Sequence, residues 1–271
     1  MLGLVVSPAL AAQQPAAPQP AAPQPAAPAK PKPQSKMAAP APMAANANQL
    51  TDAEKSAGWV LLFDGKTMTG WRGYKKVATA GAPADKASHG RWIVQNGALC
   101  LPPGGGQDTH GERDIITDKT YKSFELKWQW KIASGGNSGL KYFVTEKHDS
   151  AIGHEYQMID DDRHPDAKIG PHRSTGAFYD VIPPDAAMKK VKPIGEWNDS
   201  RVVVSGNHVE HWLNGAKVVD YTLESAELKA QIAKSKFTAI DDFDKALDAH
   251  ILLQDHGNEV CFRGIKILPK K

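Results

Sequence analysis

The chain has 271 residues and a formal net charge of +3 at pH 7. Lys30, Lys32 and Lys36 all lie near the N-terminus, so the rest of the chain is close to neutral, which argues against nucleic acid as a partner. No apolar run approaches the roughly 20 residues that a membrane-spanning helix needs, and no transmembrane segment is expected.

The N-terminal part differs in composition from the rest. Residues 1–12 hold a short apolar run that ends in the small-x-small pattern of Ala9 and Ala11, which predicts a cleaved signal peptide without the usual basic start. A retained anchor is the alternative. Residues 13–48 are almost entirely Ala, Pro and Gln, with too little apolar surface to fold, and predict a disordered linker. We therefore expect an exported protein, periplasmic, at the cell surface or extracellular, with one folded domain over residues 58–271.

Strand patterns dominate that domain. Apolar and polar residues alternate from Phe124 to Ile132, which predicts a long strand with one apolar face. Asn214-Gly215 lies between two β-prone runs, His208 to Leu213 and Ala216 to Leu223, and predicts a hairpin with a type I′ turn. Shorter runs predict strands at 60–63, 91–94, 98–101, 115–117, 140–145, 155–159, 177–181, 201–205, 251–254 and 260–268. Because two apolar sheet faces must cover one another, the expected fold is an all-β sandwich or jelly roll.

Three further features complete the expected architecture. One short helix is predicted from Ala226 to Lys234 as an insertion before the last strands, with Ser225 as its N-cap. The loops at 73–90 and 102–113 are rich in Gly, Ala and Pro and either border a binding site or are slack connections. The two cysteines, Cys100 and Cys261, either form a disulfide in an oxidising compartment or remain buried free thiols.

An ordered series of short motifs carries a family resemblance. The motifs are Leu62-Phe63-Asp64-Gly65 with Gly70-Trp71, Asn137-Ser138-Gly139, Glu155-Tyr156-Gln157, Thr175-Gly176-Ala177-Phe178-Tyr179, Glu196-Trp197-Asn198, Leu213-Asn214-Gly215 and Leu253-Gln254-Asp255-His256-Gly257. In this order and spacing the chain, from about Trp59 to Leu268, resembles the DUF1080 family, also called 3-keto-disaccharide hydrolases. The resemblance implies a concanavalin-like or lectin-like jelly roll. It also implies an enzyme that splits glycosides oxidised at the third sugar carbon, either by hydrolysis or, as for some members, by elimination followed by hydration with the help of a divalent metal ion. Other members of the family only bind carbohydrate.

Two positions depart from the family pattern. The basic residue that often follows the Asn-Ser-Gly motif as Arg is represented here by Lys141, and the usual Arg-Asn-Ile near the end is Arg263-Gly264-Ile265. The first departure weakens the substrate assignment.

The strand at 155–159 carries the strongest chemical signal. Glu155 and Gln157 point to one face of such a strand, while Tyr156 and Met158 point to the other. A standard glycosidase needs two carboxylates flanking the scissile bond. Because this face offers one acid beside a carboxamide, it favours chemistry in which a neighbouring ketone has already acidified a C–H bond, so that one base suffices.

Candidate site residues follow from the motifs. Glu155 and His256 are the candidate catalytic base or metal ligands. Candidate substrate-binding residues are Asn137, Lys141, Gln157, Tyr179, Asp180 and Gln254, with His154 and Asp160 as outer candidates. A divalent metal ion of unspecified identity is expected to use Glu155, His256 and Asp160, although the run Asp160 to Asp162 lacks the alternating spacing of a calcium loop and also fits a solvated turn.

Each assignment has a structural alternative. Glu155 could be a strand charge paired with Lys141, and His256 could stabilise a tight turn. For the whole domain, the rival hypothesis is a noncatalytic, lectin-like carbohydrate-binding module, which needs the same hollow but no activated base. Trp128 and Trp130 are expected in the core because they belong to the alternating apolar face.

Overall fold

The computed structural model describes residues 47–75, 90–104 and 113–270. The predicted signal peptide, nearly all of the predicted linker and the central parts of the loops at 73–90 and 102–113 lie outside the described residues. Two short helices and thirteen strands form the described part: α1 (Asp52–Ala57), β1 (Val60–Leu61), β2 (Trp71–Gly73), β3 (Ile93–Gln95), β4 (Ala98–Leu101), β5 (Ile115–Thr117), β6 (Phe124–Ile132), β7 (Asn137–Val144), β8 (His154–Ile159), β9 (Asn198–Ser205), β10 (His208–Leu213), β11 (Ala216–Thr222), α2 (Ala226–Ile232), β12 (His250–Leu253) and β13 (Val260–Pro269).

Two antiparallel sheets face one another, which confirms the predicted all-β sandwich. The larger has the order β11-β10-β9-β6-β13-β4-β3, with β1 paired to β13, and the smaller has the order β2-β5-β12-β7-β8. Strand β6 buries Trp128 and Trp130 between the sheets, as its alternation predicted. Trp128 meets Tyr156 of the smaller sheet edge to face, with ring centroids 5.0 Å apart. Each such fully buried side chain contributes about 1.5–3 kcal/mol by removal from water.

The predicted hairpin and inserted helix are both present. Asn214 and Gly215 have φ values of 47° and 86°, the two positive angles that a type I′ turn requires. The Ser225 side chain accepts a hydrogen bond from the Leu228 N–H at 3.1 Å and so caps α2. Helix α2 ends at Ile232, two residues before the predicted Lys234.

Two sequence predictions about secondary structure were wrong. A strand was expected at 177–181, but the described backbone there makes only isolated bridges through Phe178, and Asp180 has a φ of 62° that a strand cannot accommodate. Helix α1 was not predicted, although Thr51 and Glu54 form a reciprocal capping box at its start. Asn48, just before α1, bonds the backbone of Gly97 and Gly264, so ordered contacts begin ahead of residue 58.

Of the two alternatives for the cysteines, the structure shows the disulfide. Cys100 of β4 and Cys261 of β13 are register partners in adjacent strands and are bonded to each other, leaving no free cysteine among the described residues. The bond closes a sequence separation of 161 residues and therefore restricts the unfolded chain strongly.

Two histidines are fully buried in the core. His154 of β8 bonds the Phe243 carbonyl through Nε2, and His211 of β10 bonds the Gly176 carbonyl through Nδ1. Burial lowers the pKa of His154 to about 4 and that of His211 to about 3. His154, an outer candidate for the functional site, is thus a core residue.

Two tyrosines connect the histidines. The Tyr221 hydroxyl lies 2.8 Å from His154 Nδ1, the Tyr142 hydroxyl lies 2.7 Å from His211 Nε2, and the two hydroxyl oxygens are 2.7 Å apart. Burial raises the pKa of both phenols, which stay protonated. The chain of four side chains crosses the core between two backbone carbonyls.

Within the described residues, no helix has the length and apolar character needed to cross a bilayer.

Candidate active site

A cavity of about 300 Å³ lies on the face of the smaller sheet that points away from the larger one. Strand β8 shows why: Tyr156 and Met158 are in the shared core, and Glu155 and Gln157 line the cavity, as the alternation predicted. Seven of the sequence-predicted residues line it, namely Asn137, Lys141, Glu155, Gln157, Tyr179, Gln254 and His256. Strands β7, β8 and β12 and the loops after them therefore bring together motifs that are more than a hundred residues apart.

Glu155 is buried, with 5% of its surface exposed. Its Oε2 atom lies 3.7 Å from Lys141 Nζ on the neighbouring strand, where the two residues are register partners. Lys141 Nζ also donates to the Ala151 carbonyl at 3.1 Å. The strand register and the bond to Ala151 thus hold the Lys141 ammonium beside the carboxyl group of Glu155.

Gly139 makes room for that carboxylate. A Cβ atom at position 139 would lie 2.8 Å from the carboxyl carbon of Glu155, closer than real side chains approach. The glycine of the Asn137-Ser138-Gly139 motif is therefore needed for the position of Glu155. Ser138 has a different role, because its hydroxyl donates to the Gln254 carbonyl at 2.8 Å and joins β7 to the segment after β12.

Two carboxamide oxygens in the cavity lack a partner. Within the described part of the chain, Asn137 Oδ1 and Gln254 Oε1 are buried and accept no hydrogen bond. Asn137 is 3% exposed and Gln254 is 8% exposed. A buried acceptor left unpaired costs about 1–3 kcal/mol, so both oxygens are positioned for a ligand that brings hydroxyl donors or a cation. Gln157 is partly committed, since its Oε1 accepts from the Met158 N–H at 3.2 Å.

The inserted segment around α2 supplies the opposite wall, with Lys236, Phe237 and Ile240 beside Tyr179. The Tyr179 hydroxyl donates to Asp166 Oδ2 at 2.9 Å. Burial, together with the negative charges of Glu155 and Asp166, raises the pKa of Tyr179 far above its usual value, so it remains a neutral phenol. Lys236 was missed in the sequence because no motif surrounds it.

His256 lines the cavity from within a tightly held turn. Asp255, 1% exposed, accepts the Gly257 N–H at 2.8 Å, and its own N–H donates to Asp114 Oδ1 at 2.8 Å. Arg91 Nη1 lies 3.2 Å from the Asp255 carboxylate. The turn-stabilising role therefore belongs to Asp255, while the imidazole of His256 borders the cavity and contacts His164 edge to face.

Asp160 and Asp180 are not part of the cavity lining. Asp160 closes a turn by accepting the backbone N–H groups of Gly135 at 2.7 Å and Asp162 at 3.1 Å. Asp180 accepts from Arg173 Nε at 2.6 Å and from the backbone N–H of Lys236 at 2.8 Å. Both carboxylates hold loops, and the structure does not bring Asp160 or Asp180 into the cavity lining with Glu155 and His256.

Metal-ligating groups cluster elsewhere in the molecule. Among the described residues, three such side chains come together in one place, on the β10–β11 hairpin of the larger sheet. They are His208, Glu210 and Asp220, whose ligand atoms all lie within 4.8 Å of one another. Lys217 Nζ pairs with the carboxylates of Glu210 and Asp220, so the protein's own ammonium group already compensates the negative charge of this cluster. In the cavity, the oxygen donors of Asn137 and Gln254 beside one carboxylate have the chemistry that a hard divalent ion prefers.

Comparisons with known proteins identify the family and the fold. The model of a family described as 3-keto-alpha-glucoside-1,2-lyase-like domains matches residues 58–268. A protein named 3-keto-disaccharide hydrolase, from Bacteroides thetaiotaomicron, is 34% identical over 237 residues, covering 78% of each chain. A crystal structure of a Parabacteroides distasonis protein assigned as a glycosyl hydrolase has a TM-score of 0.71 and 34% identity, covering 83% of this chain and 99% of that one. A second protein of that organism, assigned in the same way, shares the fold with a TM-score of 0.57 and 24% identity, covering 78% of this chain and 99% of that one.

Proposed function

The chain belongs to the 3-keto-alpha-glucoside-1,2-lyase-like family, and from that membership we propose that it is an enzyme that cleaves 3-keto-glycosides, by elimination and hydration or by hydrolysis. The signal-peptide pattern of residues 1–12 supports the further proposal that this enzyme is exported. The observation that carries the proposal is the buried carboxylate of Glu155 in one cavity with two unpaired carboxamide acceptors. The cavity volume lies at the lower end of the range for small-molecule sites, about 300–1,000 Å³.

The carboxylates of the cavity argue against the ordinary two-acid mechanism. Asp114 also lines the cavity, but its Oδ1 accepts the Asp255 N–H at 2.8 Å and holds the turn before His256. Glu155 is thus the carboxylate available for proton transfer. One base fits a substrate whose ketone has already acidified the adjacent C–H bond, whereas direct glycoside hydrolysis requires a pair of carboxylates.

The proposed sequence of steps starts with Glu155. Its carboxylate takes the proton from the carbon next to the ketone, and the electron pair moves toward the ketone oxygen to give an enolate. The enolate then re-forms the ketone as the bond to the leaving oxygen breaks. His256 is the candidate acid that protonates the departing alcohol, and water adds to the resulting double bond.

Asn137 and Gln254 have a binding role in this scheme. Their unpaired oxygens accept hydroxyl hydrogens of the sugar, which fixes the ring against β7 and removes the cost of two buried, unsatisfied acceptors. Where a divalent metal ion takes part, the same two oxygens beside the Glu155 carboxylate would hold it, and it would polarise the ketone.

The test compares matched substrates. The purified protein is incubated with a 3-keto-glycoside and with the same glycoside before oxidation, with and without a chelator, and the released aglycone is measured. The proposal predicts release from the oxidised sugar alone. Cleavage of the unoxidised glycoside would contradict the one-base scheme, and binding of sugar without release from either substrate would favour a carbohydrate-binding module.

A further inference from the structure

Lys236 is an ammonium group at the cavity that no sequence motif singled out. It follows helix α2 in the inserted segment, and its backbone N–H donates to Asp180 Oδ2 at 2.8 Å. Asp180 is itself held by Arg173 Nε at 2.6 Å. This anchoring fixes the Lys236 backbone beside the cavity independently of its side chain.

The ammonium group has aromatic contacts but no acceptor. Lys236 Nζ lies 4.4 Å from the ring centroid of Tyr179 and 5.2 Å from that of Phe237. Across the three described ranges of the chain, no oxygen or nitrogen atom forms a hydrogen bond or ion pair with it. The ring of Tyr179 is held in place by the bond of its hydroxyl to Asp166 at 2.9 Å. Lys236 therefore presents N–H donors that are positioned but unused.

Lys141, the other lysine of the cavity, is committed. Its Nζ atom is 3.7 Å from Glu155 and 3.1 Å from the Ala151 carbonyl that accepts from it. Its charge therefore acts mainly on the base. A reaction that moves negative charge onto the substrate needs a second cation, with donors free to meet that charge.

Lys236 lines the same cavity as Glu155, among several charged groups. Partial desolvation lowers its pKa, Glu155 and Asp180 act to raise it, and Lys141 and Arg173 act to lower it further. Although much of the Lys236 residue is exposed, its side chain and that of Glu155 line one cavity.

We propose that Lys236 is a further catalytic residue of the reaction described above, and that its ammonium donates a hydrogen bond to the ketone oxygen as that oxygen becomes an enolate. The inference rests on the proposed function. In the step concerned, the C–H bond next to the ketone breaks, its proton goes to Glu155, and its electron pair passes to the ketone oxygen. Lys236 keeps its proton and stabilises the oxyanion.

The test isolates that step with a 3-keto sugar that lacks an aglycone, so that no bond to a leaving group has to break. Exchange of its C–H hydrogen next to the ketone for solvent deuterium is followed by NMR, alongside aglycone release from a 3-keto-glycoside. Lys236→Met removes the charge and Lys236→Arg keeps it. Lys234→Met is the matched control, because Lys234 is a lysine of the same segment, exposed like Lys236, that does not line the cavity.

The proposal predicts that Lys236→Met slows both deuterium exchange and turnover by about 10²–10³-fold, the usual cost of removing one oxyanion donor. Affinity for the unoxidised glycoside and the thermal midpoint should change little, Lys236→Arg should retain part of the rate, and Lys234→Met should match the wild type. Wild-type rates in Lys236→Met would overturn the role of Lys236 alone. A wild-type protein that neither exchanges nor cleaves any 3-keto-glycoside would overturn the proposed function as well.

Discussion

Acidification from about pH 7 to about pH 5.5 should lower the free energy of unfolding by about 2–3 kcal/mol, through His154 and His211 alone. Burial lowers their folded-state pKa values to about 4 and about 3, whereas an unfolded histidine titrates near 6.5. In this window the unfolded chain therefore binds protons that the folded chain does not. Stability is fully present above the unfolded pKa, falls as the pH drops below it, and each histidine contributes about 1 kcal/mol of the loss.

A competing arrangement would reverse this expectation. The four side chains of His154, Tyr221, Tyr142 and His211 form a hydrogen-bonded row with a backbone carbonyl at each end. The row contains five contacts, but the four side chains in their neutral forms supply only four hydrogens. A fifth proton would complete the chain by charging one imidazole. An unpaired hydroxyl contact costs about 1–3 kcal/mol, whereas a buried imidazolium without a carboxylate costs several kcal/mol, so the neutral chain is favoured.

Urea unfolding followed by tryptophan fluorescence at the two pH values measures the effect. His211→Gln, which can still bond Tyr142 and Gly176, should remove about half of the pH dependence. His208→Gln, a half-buried residue on the same strand, is the control and should keep it. Carboxyls with lowered pKa, such as Glu146, act at lower pH, and the lowered pKa of His164 adds in the same direction. Stability that stays level or rises on acidification would show that the four hydrogen-bonded side chains are not all neutral, and that one of the two buried imidazoles carries an extra proton.

Two further predictions concern the disulfide and the position of the base. Replacing Cys100 and Cys261 together by serine should lower the free energy of unfolding by up to about 5 kcal/mol, because the disulfide closes a long loop. Thermal unfolding of the wild type and the variant, each with and without reductant, measures this effect. Equal thermal midpoints for the oxidised wild type and the variant would contradict it. Gly139→Ala should displace the Glu155 carboxylate and reduce kcat more than it affects folding, because the added Cβ would lie 2.8 Å from the carboxyl carbon. Unchanged kcat in a folded Gly139→Ala protein would show that the catalytic position of Glu155 does not depend on Gly139.

Local periodicity explains which parts of the fold were predictable. The strand from Phe124 to Ile132, the Asn214-Gly215 turn and the shared face of Glu155 and Gln157 all depend on neighbouring residues, and each has the predicted form. The strand predicted at 177–181 was wrong because the backbone there depends on distant contacts rather than on neighbouring residues. There, the left-handed backbone of Asp180 is stabilised by Arg173 and Lys236, contacts that no local pattern encodes.

The candidate site divides in the same way. Glu155 and Gln157 of β8 could be placed on one face from strand alternation, and comparison with the family motifs added Asn137, Lys141, Gln254 and His256. Lys236 could not be anticipated, because its place at the cavity depends on how the inserted segment folds back over the sheet. Asp160 and Asp180 looked equally suitable in sequence, but hydrogen bonds to distant loops commit both carboxylates to structural roles.

The role of Glu155 as the base that attacks a 3-keto-glycoside is tested most directly by turnover of Glu155→Gln. This variant keeps the size and hydrogen-bonding capacity of the side chain and removes its basicity, while Glu227→Gln, at an exposed glutamate of α2, serves as the control. The account predicts that Glu155→Gln still binds the sugar and that its rate of aglycone release falls by about 10²–10⁴-fold, the usual contribution of a general base. Release at the wild-type rate by a folded Glu155→Gln protein would contradict it.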